Sequence, residues 1–227
     1  MRLLAVETSS ELCSAALIVD GQIRERQEEA PNRHGEVLVP MVSALLSEAG
    51  IVATQLDALA FGQGPGSFTG IRIGIGVVQG LALGSDRPVV PVPSLLAVAA
   101  QSGSRAALVA FDARMGEAYL GAYRERGGQW EEALSPLLVT PHGQIPTLEG
   151  SDWLLCGNGF DRFDWLRAFY ARHSASHAPG RRPHAHGVAS VARGWLSQGR
   201  AIAVDDAAPL YLRDKVALTV AERRANA

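Results

Sequence analysis

The order of apolar and polar positions along this chain follows one plan twice. Each copy begins with a short apolar strand that ends at a carboxylate, and a polar turn, a second strand, a tight hairpin turn and a third strand follow. The first copy contains residues 3–6, Glu7, 13–19, the turn at 20–21 and 22–28. The second copy contains residues 107–111, Asp112, 118–123, the turn at 127–128 and 129–130. The repeat predicts two related β-rich lobes.

Helices and further strands follow the three strands of each copy. The predicted elements of the first copy are helix 36–49, strand 56–61, helix 70–84, strand 89–92 and a helix capped by Ser94 that ends near residue 101. Those of the second copy are strand 153–156, helix 160–173, a surface loop at 174–186 and helix 187–198. The predicted domains are an N-terminal lobe at 1–102, a C-terminal lobe at 103–208 and a C-terminal helix within 209–227 that packs back on the first lobe.

Two β-rich lobes whose first strands both end in a carboxylate are typical of the actin-like and sugar-kinase architecture. In that architecture the acidic strand ends face each other across a cleft that holds nucleotide and metal. The predicted fold class is therefore α/β, a two-lobed actin-like (RNase H-like) fold with a duplicated ββαβα-type lobe. Fold alone does not determine function.

A glycine-rich segment, residues 62–72, joins strand 56–61 to helix 70–84. A glycine turn before a helix suggests a phosphate-binding loop, because the free N–H groups of a first helical turn attract anions. A P-loop, however, needs a lysine that this segment lacks, and Ser67 stands where a dinucleotide-binding motif needs its third glycine. We therefore favour a tight turn with close backbone packing over direct ligand binding.

Composition narrows the functional classes. The 227 residues carry a net charge of −2, so a wholly basic nucleic-acid-binding protein is not expected, although local basic patches stay open. Only Lys215 is a lysine, which leaves almost no candidate for Schiff-base chemistry, and Cys13 and Cys156 lie in apolar strands. Glu7 comes too early for a signal peptide, and glycines and a glutamine interrupt the apolar run at 73–83. We expect a cytoplasmic protein with no membrane partner.

Five segments spread in order over nearly the whole chain resemble the TsaB (YeaZ) family. They are residues 4–9 (LAVETS), 33–40 (RHGEVLVP), 64–72 (GPGSFTGIR), 112–117 (DARMGE) and 209–213 (PLYLR). The segment 64–72 is the most specific of them. The family commonly has serine where Gly35 stands.

The resemblance implies a non-catalytic, dimerising subunit. Proteins of this family pair with TsaD, which carries the metal and the active site, and with the ATPase TsaE. The assembly transfers a threonylcarbamoyl group to the adenosine beside the anticodon of tRNA. Without TsaD, members of the family form homodimers through the first lobe, and tRNA is reached indirectly through the complex.

The residues agree with a loss of catalysis. In the catalytic relative, two histidines spaced H-x-x-x-H hold the metal, whereas here His34 is followed four positions later by Leu38, so no metal site is expected. Neither acidic strand end is followed by the x-Gly that lets backbone amides approach phosphate. We expect no resident cofactor, and weak or interface-shared binding of ATP or ADP stays open. The predicted vestigial cleft residues, which would lie near a nucleotide, are Glu7, Thr8, Ser9, Asp112 and Arg114. For Glu7 and Asp112 we favour the simpler role of strand-end hydrogen-bond acceptors.

Helix 70–84 is the predicted partner surface. Each internal glycine lowers helix propensity by about 1 kcal/mol, so several of them need an offsetting role. Gly76, Gly80 and Gly84 recur at every fourth position and form a shallow groove in which another helix can approach. We expect this helix, beside helix 36–49, to contact TsaD or a second copy. The predicted interface residues are His34, Glu36, Gly70, Arg72, Ile73, Gly76, Val77, Gly80, Leu81 and Gly84.

Two functional classes remain open. The first is the scaffold subunit described above, and the second is a stand-alone ATP-dependent phosphotransferase or ATPase of the actin-like class. Four histidines at 173–186 lack a cysteine or a neighbouring carboxylate in sequence, which favours an exposed cluster over a metal site. Arg181 and Arg182 make the same loop basic enough to contact tRNA phosphates, and a solvated loop is the simpler interpretation.

Overall fold

The protein contains two five-stranded mixed sheets of identical topology, seen in a computed structural model that describes residues 1–213. The strands of the first sheet are Leu3–Glu7 (β1), Leu12–Val19 (β2), Gln22–Glu29 (β3), Ala58–Gly62 (β4) and Val89–Val92 (β5). Those of the second are Ala106–Asp112 (β6), Ala118–Arg126 (β7), Gln129–Val139 (β8), Trp153–Cys156 (β9) and Ser174–Ala178 (β10). The orders β3-β2-β1-β4-β5 and β8-β7-β6-β9-β10 correspond strand by strand, which confirms the predicted duplication.

Helices cover both faces of each sheet. The α-helices are His34–Glu48 (α1), Phe68–Ser85 (α2), Ser94–Ala100 (α3), Asn158–Arg162 (α4), Asp164–Tyr170 (α5) and Ala185–Ser197 (α6). α1 and α2 cover the outer face of the first sheet, and α4 and α5 cover the outer face of the second. α3 and α6 lie between the sheets and form one core with both of them. This is the two-lobed α/β arrangement predicted from the sequence.

Burial explains where each kind of strand lies. β1 and β4 pair in parallel, and every residue of both strands is buried, because helices pack on both faces of the sheet. β3 is an edge strand of the first sheet, and most of its residues are charged and exposed to solvent.

Three local predictions need correction. Residues 174–178, predicted as loop, form β10, which pairs in parallel with β9 at the edge of the second sheet. The strand is short and lacks an apolar run, so its pattern does not reveal it. The predicted helix over 160–173 is two shorter helices, α4 and α5, followed by a 3-10 turn. Ser94 does not cap α3, because its hydroxyl bonds a distant carboxylate instead.

The last described part of the chain returns to the first lobe. α6 packs on α3 and on β1, and Ile202 pairs with Val89 of β5. Residues 209–213, predicted to begin a C-terminal helix, have no regular secondary structure, and the backbone N–H of Leu210 donates to the carbonyl of Gln63. The rest of that predicted helix lies outside the described residues.

α2 is, within residues 1–213, the one helix long and apolar enough to pass for a membrane span by length and composition. The sequence predicted that glycines and a glutamine would interrupt the apolar run of α2. That prediction is corrected, because the mean hydropathy of the helix stays high enough for a membrane span despite those residues. A core helix of a soluble protein has the same composition. One face of α2, including Ile71, Ile75 and Val78, is buried against the first sheet.

Candidate functional site

An apolar groove of about 630 Å³ runs between α1 and α2 on the outer side of the first lobe. Val39, Val42 and Leu46 of α1 form one wall, and the loop after α1 closes one end. Gly76 and Gly80 form the α2 side, together with Val77 and Leu81. No atom other than neighbouring backbone lies within 4 Å of where a Cβ would stand at Gly76, Gly80 or Gly84. The glycines thus leave a notch in the surface of the helix.

The orientation of α2 follows from its two apolar faces. Ile71, Ile75, Val78 and Ala82 are buried on the sheet, as the sequence predicted. The opposite face carries the glycines, and it ends in Leu83, whose side chain is 66% exposed. Val39 of α1 and Val52 beyond it are also more than half exposed. Exposed apolar side chains beside a groove are typical of an interaction site.

The structure brings together part of the predicted interface at this groove. Gly76, Val77, Gly80 and Leu81 line it, while Ile73 and Gly84 lie on the same helix outside its lining. The remaining predicted residues lie elsewhere.

Two of those residues are buried within the lobe. The imidazole of His34 is buried, with Nε2 2.8 Å from the Ser10 carbonyl oxygen. Gly70 is buried against the Thr8 carbonyl. Glu36 is exposed and pairs with Arg33 at 3.0 Å. The role of all these residues in an interface stays a prediction.

A second concave region, the interlobe cleft, has a volume of about 910 Å³. The turn after β1, the glycine-rich segment, the end of β6 and residues 209–213 surround it. Of the predicted cleft residues, Ser9, Asp112 and Arg114 line the cleft, whereas Glu7 and Thr8 are buried behind its wall.

The Glu7 carboxylate is fully buried and fully engaged in hydrogen bonds. Its Oε1 accepts from the backbone N–H groups of Thr8 at 2.8 Å and Ser9 at 2.7 Å, and its Oε2 accepts from the Ser94 hydroxyl at 2.7 Å. Burial raises the pKa of Glu7, and the bonds from Ser94 and the turn oppose that rise. Glu7 thus joins the end of β1 to the start of α3, as a strand-end acceptor.

The glycine-rich segment packs directly on the turn after β1. A Cβ at Gly66 or Gly70 would lie under 3.0 Å from the carbonyl oxygen of Ser9 or Thr8, respectively, a distance that real Cβ atoms do not show. The Ser67 N–H donates to the Ser9 carbonyl at 2.7 Å, and the Thr8 hydroxyl donates to the Gly70 carbonyl at 2.8 Å. The close-packing interpretation of this segment is therefore confirmed.

The opposite wall of the cleft is held by ion pairs. Asp112, at the end of β6, lies 3.3 Å from Nε of Arg162, and its Oδ1 accepts from the backbone N–H of Arg114 at 2.8 Å. These bonds occupy the carboxylate that an actin-like cleft would turn toward a metal. Across residues 1–213, no group of three or more His, Cys, Asp or Glu side chains is placed to hold a metal ion. Whether the cleft binds a nucleotide or a metal stays a prediction.

The histidines of 173–186 have carboxylate neighbours that the sequence did not indicate. His177 Nε2 lies 3.1 Å from Asp161, and His184 Nδ1 donates to Glu25 at 2.8 Å. The second contact joins the start of α6 to β3. The expectation of an incidental exposed cluster is wrong for these two residues.

Comparison with known proteins identifies the family. The family model "TsaD: tRNA N6-adenosine threonylcarbamoyltransferase" matches residues 23–218. The Escherichia coli K12 protein named tRNA threonylcarbamoyladenosine biosynthesis protein TsaB is 37% identical over 230 residues, which cover 96% of each chain. The chain belongs to the TsaB (YeaZ) family.

Solved structures place this TsaB-family chain in the same fold. YeaZ from Pseudomonas aeruginosa superposes with a TM-score of 0.82 at 36% identity, covering 93% of this chain and 99% of that one. A second P. aeruginosa structure, described as an uncharacterized protein with similarity to peptidase YeaZ, gives a TM-score of 0.84 with the same identity and coverage. The family predicted from five short segments is confirmed over nearly the whole chain.

Proposed function

We propose that this chain is a non-catalytic, cytoplasmic subunit in the formation of threonylcarbamoyladenosine in tRNA. In this proposal the α1–α2 groove binds a TsaD-type transferase, TsaE acts as the ATPase of the assembly, and a second copy occupies the groove when the transferase is absent. tRNA is modified by the transferase, and this subunit carries no resident cofactor. The observation that carries the proposal is the apolar groove with its open glycines.

The chemistry of the groove supports helix-to-helix docking. Glycines at every fourth position let a second helix approach without side chains between the two backbones. Exposed Val39, Val52 and Leu83 supply apolar surface whose burial stabilises a complex by about 25 cal/mol per Å² before the costs of association.

The family comparison supports a partner of related shape. The transferase family model matches this chain over residues 23–218, so a TsaD-type protein shares the plan of its lobes. Two related subunits that present corresponding helices can pack about a pseudo-twofold axis, as two copies of this chain would about a true one. One groove thus serves both pairings, and the homodimer and the heterodimer compete.

The state of the cleft supports a non-catalytic role. Glu7 has no free carboxylate oxygen, Asp112 is bound by Arg162, and His34 is bound to the Ser10 carbonyl. The carboxylates that a stand-alone ATPase would turn toward a metal are therefore engaged within the protein. The alternative function, an ATP-dependent phosphotransferase, retains the volume of the cleft and the arginines that line it in its favour.

The docking part is tested by filling the groove. Gly80→Leu should abolish both the homodimer and co-purification with the transferase, because the side chain enters open space in the groove. Gly194→Leu on α6 is the matched control, since its Cβ would make ordinary contacts far from the groove. Light scattering measures the assembly, and circular dichroism checks that both variants fold. A Gly80→Leu chain that still assembles contradicts the proposed docking surface.

The non-catalytic part is tested with the chain alone. Calorimetry with ATP and Mg²⁺ should show no micromolar binding, and the chain should produce no ADP or modified tRNA. Addition of the transferase should restore modification. Intrinsic ATP cleavage or threonylcarbamoyl transfer by the isolated chain would favour the enzyme instead.

A further inference from the structure

Two exposed aromatic rings and one arginine form a platform at the mouth of the interlobe cleft. The guanidinium carbon of Arg72 lies 3.3 Å from the centroid of the Phe68 ring and 5.4 Å from that of Tyr211. Arg72 also donates a hydrogen bond to the Tyr211 hydroxyl. Phe68 is 53% exposed and Tyr211 is 55% exposed. We call these three residues the stacking platform.

The stacking platform is assembled from distant parts of the chain. Phe68 is the first residue of α2, while Tyr211 arrives from the end of the described chain. The Leu210 N–H donates to the Gln63 carbonyl at 2.8 Å, and the Gln79 amide donates to the Ala207 carbonyl at 3.3 Å, which fixes the segment beside α2. Two rings are thus held in place with much of their surface in water, which favours a flat ligand over a core role.

The charge around the platform favours a polyanion. Five arginines and three carboxylates line the cleft, although the whole chain has 21 basic and 23 acidic residues. The arginines are Arg114, Arg162, Arg181, Arg182 and Arg213. Arg72 adds a further positive charge beside the cleft, and no carboxylate of residues 1–213 lies within ion-pair distance of it. Four of the lining arginines pair with carboxylates, whereas Arg72 and Arg181 have no carboxylate of residues 1–213 within ion-pair distance.

We infer that the stacking platform binds unpaired nucleotides of the tRNA directly, an inference that rests on the proposed function. Unpaired RNA bases stack on aromatic rings and on guanidinium planes, and their phosphates bind a basic groove. Phe68 and Tyr211 provide the rings, Arg72 provides both a plane and a charge, and Arg181 provides a second charge for phosphate in the cleft. Aromatic and arginine side chains also anchor protein partners. The charge of Arg72 beside the rings, which no carboxylate of residues 1–213 pairs, favours RNA over an apolar protein pocket.

The experiment measures tRNA affinity by fluorescence anisotropy, with the full chain alone and paired with the transferase. Phe68→Ser and Tyr211→Ser should each weaken binding about tenfold, because each removes one stacked base. Arg72→Ala should also lower the slope of log affinity against log salt concentration by about 0.7, the value for one phosphate contact to a single strand. Arg200→Ala is the matched control, since Arg200 lies 3.6 Å over the Trp195 ring outside the cleft. It should bind tRNA as the unmodified chain does.

A photo-cross-link to tRNA that carries 4-thiouridine should map to Phe68 or Tyr211. Ring variants that bind tRNA with unchanged affinity overturn the inference, as do cross-links confined to the transferase. Variants that lose the transferase while the free chain keeps its tRNA affinity identify the platform as a protein contact, which also overturns it. Light scattering reports pairing separately. If the proposed docking fails, the affinity of the free chain for tRNA still tests the stacking platform independently.

Discussion

The hydroxyl of Ser94 donates a 2.7 Å hydrogen bond to Oε2 of Glu7, although the two residues are 87 positions apart. Ser94 opens α3 between the two sheets, and Glu7 ends the central strand of the first sheet. The same hydroxyl accepts a bond from the backbone N–H of Gly64 at 3.2 Å. Two of the segments that carry the family resemblance, 4–9 and 64–72, are thus joined to the interlobe helix through one hydroxyl, that of Ser94.

Removal of the Glu7 carboxylate should destabilise the fold strongly. Glu7→Ala leaves two backbone N–H groups and the Ser94 hydroxyl without an acceptor in a buried site. We expect a loss of about 3 kcal/mol or more in the free energy of unfolding, since each buried unsatisfied donor costs about 1–3 kcal/mol. Glu7→Gln keeps one carbonyl oxygen for the two N–H groups and should lose less. Urea unfolding followed by circular dichroism measures both, and equal small losses would show that these bonds contribute little.

Glu7 should also make stability depend on pH. Burial raises its pKa in the folded state above the ordinary value of 4.5, so the folded chain binds the proton more tightly than the unfolded chain does. The stability that this bound proton contributes is fully present below the pKa of Glu7 in the unfolded chain. It is lost as pH rises through the pKa of Glu7 in the folded chain. Relative to Glu7→Gln, the unmodified chain should therefore become less stable between mildly acidic and neutral pH. A constant difference between the two unfolding free energies over that range would contradict the raised pKa.

The lobe plan is readable in the sequence because it rests on local signals. Apolar runs, the hairpin turn at 20–21 and the paired acidic ends at Glu7 and Asp112 each lie within a few residues of the element they define. The helical period also separates the buried face of α2 from its glycine face, so the spacing of residues alone predicts the notch at Gly76 and Gly80.

Contacts between distant segments are what the sequence does not reveal. Tyr211 reaches Arg72 across 139 positions, and His184 reaches Glu25 across 159. Ser94 carries a strong helix-capping signal, yet Pro93 holds the N-cap position of α3 and the Ser94 hydroxyl bonds the buried carboxylate of Glu7. Tertiary contacts of this kind override local preference, and they bring Tyr211 to the stacking platform, whereas Phe68 and Arg72 lie four positions apart on α2.

Two glycines of α2 should respond oppositely to the same substitution. Gly70→Ala places a methyl group against the Thr8 carbonyl and should cost about 2 kcal/mol of stability, since the backbone cannot yield. Gly76→Ala meets open space and should stabilise the monomer by about 1 kcal/mol through helix propensity. Thermal unfolding of both variants at a concentration where the chain is monomeric measures the contrast. Equal effects would mean that Gly70 is not packed against the turn after β1.

The contact between Glu25 and the start of α6 should stabilise the junction of the two lobes. Glu25 Oε1 accepts from His184 Nδ1 at 2.8 Å and from the backbone N–H of His186 at 3.0 Å. Burial raises the pKa of Glu25, but these two hydrogen bonds and the nearby imidazoles outweigh burial, and the net pKa lies below 4.5. A carboxyl group whose pKa is lower in the folded chain stabilises the fold at pH values above its pKa in the unfolded chain. That stabilisation is lost as pH falls through its pKa in the folded chain. Glu25 and Glu7 thus act in opposite directions.

We expect Glu25→Ala to cost about 1–2 kcal/mol at neutral pH, because a hydrogen bond to a charged group contributes about that much and the His186 N–H loses its acceptor. Glu28→Ala is the matched control, since Glu28 lies on the same strand and makes only a 3.6 Å surface pair with Arg33, which is worth less than about 1 kcal/mol. Urea unfolding at several pH values should show the cost of Glu25→Ala shrinking under acidic conditions while that of Glu28→Ala stays small. A cost for Glu25→Ala that matches the control at every pH would mean that this contact contributes little to the junction of the lobes.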